Sequence, residues 1–179
     1  MEVFAQVIGI IAMMMNVSIF SMKNQKTMIF IQFLASILFS VNMLLLGALS
    51  GGLMNIAGVV RGIVFVNKKR LGKMKWFFTA GLFALYIVFY ILGFAVFGKE
   101  VSPANVIIEF LPVFAMIVMT IGFAVEGAGK TRLYGLVNSP PWLIYNSINF
   151  NIGGIICEIF CILSIVWGIF RHDIKKEKK

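Results

Sequence analysis

The stretch GLMNIAGVVRGIVFVNKKRLGKMK, residues 52–75, determines how many times the chain crosses a membrane. Its first part, 52–67, is apolar but short, and it contains Arg61. Its second part carries five basic residues in close succession. A spanning helix needs about 20 mostly apolar residues, or about 17 at the short end. Counting 52–67 as a span therefore changes the side of the membrane assigned to every later loop.

The composition of the whole chain is that of an integral membrane protein. Of its 179 residues, 60% are hydrophobic and 13% are charged, whereas soluble domains carry about 25% charged residues. The mean hydropathy is +0.97. The net charge of +9 comes from basic residues between apolar runs and at the C-terminus. A separate basic domain is missing from the sequence, so nucleic-acid binding is not predicted.

Seven apolar segments are predicted to be spanning helices. The third is short, and the sixth contains two prolines and two asparagines. We interpret the first as a retained span and not as a signal peptide, because no Lys or Arg precedes its apolar run. The seven segments are 4–20, 28–48, 52–67, 75–97, 104–124, 131–148 and 152–170.

The basic residues support this count. Of the 16 Lys and Arg residues, 14 fall in alternate connections and the tail, Lys99 falls on the other side, and Arg61 lies within a span. Cytoplasmic loops of membrane proteins are enriched in Lys and Arg. The pattern predicts an external N-terminus and a cytoplasmic C-terminus, and an even number of spans would destroy the separation.

The segment EGAGKT, residues 126–131, resembles the end of a phosphate-binding loop. That loop needs a leading glycine, where this chain has Ala124, and it follows a buried strand. Here it connects two predicted membrane helices. We therefore interpret Lys130 and Arg132 as charges that set topology, and nucleotide hydrolysis is not predicted.

The two halves of the chain share an architecture. Lys26-Thr27 and Lys130-Thr131 are 104 residues apart, and Asn42 and Asn146 have the same spacing. Each half holds a long span, a basic loop, a second span, a short outer connection with paired glycines nearby, and a third span. Parallel repeats of this kind are known in transporters, where the substrate binds at the repeat interface.

The predicted fold is therefore an all-α, seven-helix membrane protein with two parallel three-helix repeats joined by a linker helix (3+1+3). The first repeat is 1–67, and the second is 104–170. A basic loop and linker helix occupy 68–103, and a basic tail occupies 171–179.

Three stretches carry a resemblance to a known family. They are LLLGALSGGLMNIAGVVRGIVFVNKKR (44–70), LPVFAMIV (111–118) and WLIYNSINFNIGGIICEIFCILSIVWGIFR (142–171). With them the chain resembles the YgjV-type bacterial inner membrane proteins, which look distantly related to the SWEET, SemiSWEET and PQ-loop transporters. The resemblance implies a location in the bacterial inner membrane.

The chain departs from the wider superfamily in two ways. Where PQ-loop proteins carry Pro-Gln, MKNQKT keeps Gln25 without the proline. The first triplet has no proline, whereas the second has Pro112, Pro140 and Pro141. A symmetric rocking motion is not expected from this distribution.

Three ionisable residues lie inside the predicted spans: Arg61, Glu109 and Glu158. Each costs about 2.5–3.5 kcal/mol at mid-membrane on insertion scales. One interpretation is an Arg–Glu pair that locks helix three to helix seven or five. Another is a carboxylate that binds or transfers a proton, or an arginine that holds an anionic substrate. A third is that each side chain reaches its nearest interface.

Uncharged polar residues gather at similar depth. Asn42, Asn55 and Asn146 lie near Trp142, which a substrate ring could stack on. Asparagine also joins membrane helices, at about 0.6 kcal/mol on average. The SWEET resemblance implies one sugar-contacting Asn on the third helix of each triplet. Asn55 has about that place, but its counterpart is Cys157, which argues against a sugar.

From these observations we predict a transporter or facilitator of a small polar solute that works by alternating access. The alternative is a non-transporting scaffold or interaction subunit with a structural Arg–Glu pair. The candidate substrate-binding residues are Asn42, Asn55, Arg61, Glu109, Trp142, Asn146 and Glu158. The partners expected are the lipid bilayer and the solute, and the sequence leaves the oligomeric state open, a homo-oligomer included.

Neither an enzyme nor a cofactor site is predicted. The chain has a single histidine, His172, in the basic tail, and no paired-His or Ser–His arrangement. Cys157 and Cys161 share a helix face, and two thiols alone are too few for a zinc site. We interpret them as small packing residues.

Overall fold

In a computed structural model the chain is all-α over the residues described, which are 2–45, 49–96, 98, 100–150 and 152–174. Seven long helices lie in these ranges. They are α1 (Glu2–Ser18), α2 (Gln25–Leu45), α3 (Leu49–Val66), α4 (Lys75–Ala95), α5 (Pro103–Ala124), α6 (Ala128–Ile148) and α7 (Ile152–His172). A 3-10 turn, Ile19–Ser21, follows α1, and a one-turn helix, Lys68–Leu71, lies between α3 and α4.

The helices match the predicted spans to within a few residues at most ends. The predicted end of the second span falls on residues 46–48, which lie outside the described ranges. The same holds for Lys99, the basic residue expected on the outer side, and for the tail lysines within 175–179.

Five of the seven helices, α1, α2, α4, α5 and α7, are long and apolar enough to span a bilayer. The apolar part of α3, Gly51–Val66, is shorter. Helix α6 is the most polar, and it continues through Pro140 and Pro141. The two segments that the sequence marked as weakest are thus the two that fall short here.

The surface of the bundle is apolar, and some of its charged residues are buried in the interior. The exposed fractions of Phe77, Ile107 and Trp167 are 76%, 66% and 56%, whereas Arg61 is 2% exposed. Soluble monomers rarely expose large contiguous apolar patches. This distribution is that of a protein surrounded by lipid.

Neighbouring helices pack in chain order, and the ring then closes. Helix α2 packs against both α1 and α3, and α6 packs against both α5 and α7. Helix α4 packs between α3 and α5, and α7 returns to α1. Contacts from α3 to α5 and from α2 to α6 complete the arrangement. The candidate site lies in the interior of this ring, between α1, α2, α3, α5, α6 and α7.

The basic connections meet at one end of the bundle, which we call the basic end. His172 contacts the main-chain oxygen of Ser21 at 3.0 Å. Lys68 donates to Gln25 at 2.7 Å. The Lys75 ammonium lies 4.0 Å from the Glu126 carboxylate. Four segments far apart in sequence are therefore joined at this end.

Candidate functional site

A polar cavity of about 390 Å³ lies inside the bundle. Helices α1, α2, α3, α6 and α7 supply most of its wall, and Met116 of α5 adds to it. The cavity extends from Gln6, near the start of α1, to Phe20, just beyond its end. Its polar lining is Gln6, Asn16, Gln32, Ser36, Asn42, Asn55, Arg61, Asn138, Ser139, Trp142, Asn146, Cys157, Glu158 and Cys161.

The structure brings six of the seven predicted site residues to this one cavity. They are Asn42, Asn55, Arg61, Trp142, Asn146 and Glu158. Glu109 lies elsewhere, beside a small space of about 30 Å³ that Tyr145 and Trp142 also line. The Tyr145 hydroxyl is 3.4 and 3.5 Å from its two carboxylate oxygens.

Arg61 projects from α3 into apolar and aromatic surroundings. Its Nη1 lies 3.4 Å from the Met116 sulfur, and its guanidinium carbon is 5.2 Å from the centre of the Phe123 ring. Its Nε has no hydrogen-bond partner among the described residues. A guanidinium over an aromatic face is attracted by the ring quadrupole, but neither neighbour carries a negative charge.

Glu158 lies on α7, where Ser139 of α6 is its polar neighbour. The carboxylate is 9% exposed. Within the described part of the chain, Glu158 Oε2 and Ser139 Oγ have no hydrogen-bond partner of good geometry. Buried polar groups in native structures nearly always have one. These two atoms are therefore left for a ligand or for water.

The expected Arg–Glu pair is absent: no carboxylate of the described residues forms an ion pair with Arg61. The sequence placed Arg61 somewhat deeper than Glu158, within reach of an arginine side chain, but depth does not fix direction around a helix. Arg61 turns toward Met116 of α5, and Glu158 lies against α6. Two opposite charges thus face one cavity without neutralising each other.

The asparagines hold helices together at the cavity wall. Asn42 Nδ2 donates to the Ala5 main-chain oxygen at 2.7 Å, which joins α2 to α1. Asn55 Nδ2 donates to Gly51 of its own helix at 2.9 Å. Asn146 packs so closely on Gly154 that a Cβ there would lie 2.7 Å from its Nδ2. Each amide has a structural contact and also borders the cavity.

Sequence reasoning did not select several lining residues, although a signal was present. The α1 residues that line the cavity are Gln6, Gly9, Ile10, Met13, Asn16 and Phe20. Most of them recur every three or four positions, which places them on one helix face. A search for polar residues at this spacing inside an apolar helix finds Gln6 and Asn16.

The two cysteines are buried, as their packing interpretation requires, but they also line the cavity. Both are free thiols. Asn16 Nδ2 lies 3.4 Å from the Cys161 sulfur and 3.7 Å from the Cys157 sulfur. They are the only cysteines of the chain, so they provide native chemical probes of the cavity.

At the basic end, Lys68 and Gln25 close the contact between α3 and α5. Lys68 Nζ donates to the main-chain oxygens of Phe123 and Val125 at 2.9 and 2.7 Å. Gln25 Nε2 donates to Val125 at 2.8 Å and to the Thr131 hydroxyl at 2.7 Å. The last carbonyls of a helix lack partners within it, and these two side chains satisfy them.

Arg132 has the same role for α1. Its Nε donates to the Phe20 main-chain oxygen at 2.9 Å, and its Nη2 donates to that of Met22. Its Nη1 binds both carboxylate oxygens of Asp173, at 2.8 and 2.9 Å. The sequence counted Arg132 among the loop charges that set topology. The structure places it inside α6 with its side chain fully buried, and its effect on topology stays a prediction.

The EGAGKT segment has no phosphate-loop geometry. It follows the end of α5, not a strand, and Gly127 makes the turn into α6 with a φ of 107°. The Thr131 hydroxyl, which a phosphate loop directs to a metal ion, donates instead to the main-chain oxygens of Gly122 and Gly127. The Lys130 side chain is exposed.

The two ends of the cavity differ. At the basic end, the lining residue Phe20 is nearly fully buried, and the buried Arg132 donates to its main-chain oxygen. At the opposite end, Gln6 and Gly153 line the cavity and are exposed. A solute therefore has a shorter path to the cavity from the end where α1 begins.

Comparison with protein families shows what the chain is similar to. The model of the Imp-YgjV family, described as bacterial inner membrane protein, matches residues 3–176. Neither a curated protein nor a solved structure matches the chain.

Proposed function

This chain belongs to the Imp-YgjV family of bacterial inner membrane proteins, and we propose that it carries a small polar solute across that membrane by alternating access. The observation that carries the proposal is the polar cavity of about 390 Å³ inside an otherwise apolar bundle. Polar groups within a membrane protein are expensive and mark pathways for substrates or ions.

We further propose that α1–α3 and α5–α7 are parallel repeats joined by α4, all seven helices crossing the bilayer. Under a two-fold axis along the membrane normal, the contact of α1 with α7 corresponds to that of α5 with α3, and both are present. Lys68 and His172 are 104 residues apart: Lys68 lies just beyond α3, and His172 is the last residue of α7. Lys68 of the first repeat contacts main-chain oxygens at the end of α5. His172 of the second repeat contacts the main-chain oxygen of Ser21, just beyond the end of α1.

The likeness of this arrangement to SWEET and PQ-loop transporters remains part of the proposal. Gln25 occupies the glutamine position of the PQ motif, and it binds the end of α5. In our proposal the basic end faces the cytoplasm, in agreement with the positive-inside rule. The state described is then closed to the cytoplasm and approachable from outside.

The scaffold alternative has less support. It predicted a structural Arg–Glu pair and no internal polar space, and the described residues contain the space but not the pair. In a transporter, the unpartnered atoms of Glu158, Ser139 and Arg61 would bind the solute.

Uptake by proteoliposomes that contain the purified chain tests the proposal. Radiolabelled sugars, amino acids, nucleosides and carboxylates form the panel, with empty liposomes as background. A charged methanethiosulfonate reagent that modifies Cys157 and Cys161 should block uptake, because both thiols line the cavity. The double variant Cys157→Ser/Cys161→Ser should keep its uptake in the presence of the reagent. Uptake that is absent for the whole panel, or insensitive to the reagent, would refute transport through this cavity.

A further inference from the structure

We propose that the solute is a small zwitterion, whose carboxylate group pairs with Arg61 and whose ammonium group pairs with Glu158. This proposal rests on the transport function proposed above and specifies its substrate class. It follows from two buried, opposite and unpaired charges that line the same cavity.

The positive charge comes from Arg61. Arg61 is 2% exposed, so its charge is almost completely removed from bulk solvent. Its neighbours are a thioether sulfur, the Met116 Sδ at 3.4 Å, the face of the Phe123 ring and the neutral hydroxyl of Tyr86. Its Nε remains without a hydrogen-bond partner among the described residues. A guanidinium matches a carboxylate in geometry and can bind it through two N–H groups, and at Arg61 the Nε–H group is without a partner.

The negative charge comes from Glu158. Its carboxylate is 9% exposed, and within the described residues no basic side chain forms an ion pair with it. Its Oε2 and the hydroxyl of Ser139 have no hydrogen-bond partner there. An ammonium group carries three donors and accepts none. It therefore suits a site that offers a carboxylate and a hydroxyl oxygen.

The two charges together select the ligand class. A neutral sugar would leave both charges buried without compensation, which is unfavourable. A simple anion would leave Glu158 unpaired, and a simple amine would leave Arg61 unpaired. A zwitterion compensates both charges and brings no net charge into the membrane interior.

The cavity has the size for such a ligand. Its volume of about 390 Å³ lies at the low end of the range of roughly 300–1,000 Å³ found for small-molecule sites. Arg61 lies deeper than Glu158 from the end where α1 begins, by roughly 10 Å at the helix backbones. The ligand's carboxylate group should accordingly point toward the basic end.

Protection of Cys157 and Cys161 from alkylation measures binding to the purified full-length chain. The probes are alanine and 4-aminobutyrate as zwitterions, butyrate as the anion, butylamine as the cation and glucose as the neutral solute. We expect the better of the two zwitterions to protect the cysteines at a concentration at least tenfold lower than butyrate, butylamine or glucose.

Variants that remove one of the two charges test whether Arg61 and Glu158 recognise the ligand or only stabilise the fold. In Glu158→Gln the preference should change to butyrate, and in Arg61→Gln it should change to butylamine. Glu109→Gln is the matched control, because Glu109 lies outside the cavity, and it should retain the zwitterion preference. If a glutamine variant does not fold, Glu158→Asp and Arg61→Lys keep the charge. They should bind the zwitterion within a few-fold of the native chain.

The outcomes are distinguishable. Best protection by glucose or by a singly charged probe, with no change in the charge variants, overturns the zwitterion and leaves transport standing. Protection by none of the probes, together with the absence of uptake for the wider panel, overturns both proposals. Best protection by a zwitterion, with the two exchanges of preference, supports the assignment.

Discussion

Arg132 at the start of α6 donates from Nε to the main-chain oxygen of Phe20 beyond the end of α1, at 2.9 Å. The two residues are 112 positions apart, and both are buried. The contact joins the N-terminal and C-terminal halves of the chain at the basic end. Asp173, held by the same guanidinium, adds the end of α7 to the junction.

Replacing Arg132 with glutamine should lower the melting temperature of the detergent-purified chain by more than about 5 °C. The variant loses its charge-assisted bonds, each of which contributes about 1.5–3 kcal/mol, and for a chain of this size 1 kcal/mol corresponds to about 2–4 °C. The adjacent exposed cation gives the control: Lys130→Gln should melt within about 1 °C of the native chain. Equal melting temperatures for the two variants would contradict the structural role of Arg132.

Two glycines make a second matched pair. A Cβ on Gly168 would lie 2.7 Å from Arg132 Nε and would also clash with the Phe20 main-chain oxygen. A Cβ on Gly81 of α4 would meet no atom within 4 Å. Gly168→Ala should therefore destabilise the chain by a few kcal/mol through overpacking. Gly81→Ala should be neutral or slightly stabilising. Thermal melting measures both, and a stable Gly168→Ala variant would show that α1 and α7 do not pack this closely.

Hydropathy and charge predicted much of the fold. The seven helices lie close to the predicted spans because long apolar runs separated by basic or glycine-containing connections leave few alternatives. The resemblance to the YgjV-type family is confirmed over residues 3–176, whereas the likeness to SWEET and PQ-loop transporters stays a prediction. The repeat and the orientation stay predictions.

The candidate site was partly predictable for a related reason. A polar residue in an apolar helix seldom faces lipid, so Asn42, Arg61 and Glu158 were expected inside the bundle, where they lie. The pairing of Arg61 was not predictable, because sequence gives depth along a helix but not the neighbour that a long side chain selects. Glu109 shows the same limit, since its depth is similar but its helix face differs.

The structural role of Arg132 was not predicted, because local charge patterns do not reveal distant acceptors. Its partners, Phe20 and Met22, are main-chain oxygens of a helix end more than a hundred residues away. Carbonyl groups at helix ends are present in every sequence. Only the tertiary fold determines which side chain satisfies them.

Glu109 gives a prediction that separates two intramembrane carboxylates. Because Glu109 contacts Tyr145 beside a separate small space, Glu109→Gln should keep uptake within about twofold of the native rate. Glu158→Gln should reduce uptake of the native solute at least tenfold, because Glu158 borders the cavity with an unpartnered oxygen. Proteoliposome uptake at matched protein content measures both. A larger loss in Glu109→Gln would place the functional carboxylate on α5.

Lys68 controls the opening of the basic end in our proposal. Lys68→Met replaces lysine with an uncharged side chain of similar length. It removes the bonds of the ammonium group to Phe123, Val125 and Gln25. A bond to a charged group contributes about 1.5–3 kcal/mol, and 1.4 kcal/mol corresponds to a tenfold change in an equilibrium. The population open at the basic end should therefore rise about tenfold or more.

In inside-out vesicles of a Cys157→Ser background, a membrane-impermeant maleimide should label Cys161 faster by a similar factor. The exposed neighbour supplies the control, since Lys69→Met should leave the rate unchanged. If Lys68→Met labels at the control rate while its melting temperature falls, Lys68 stabilises the bundle without acting as a gate.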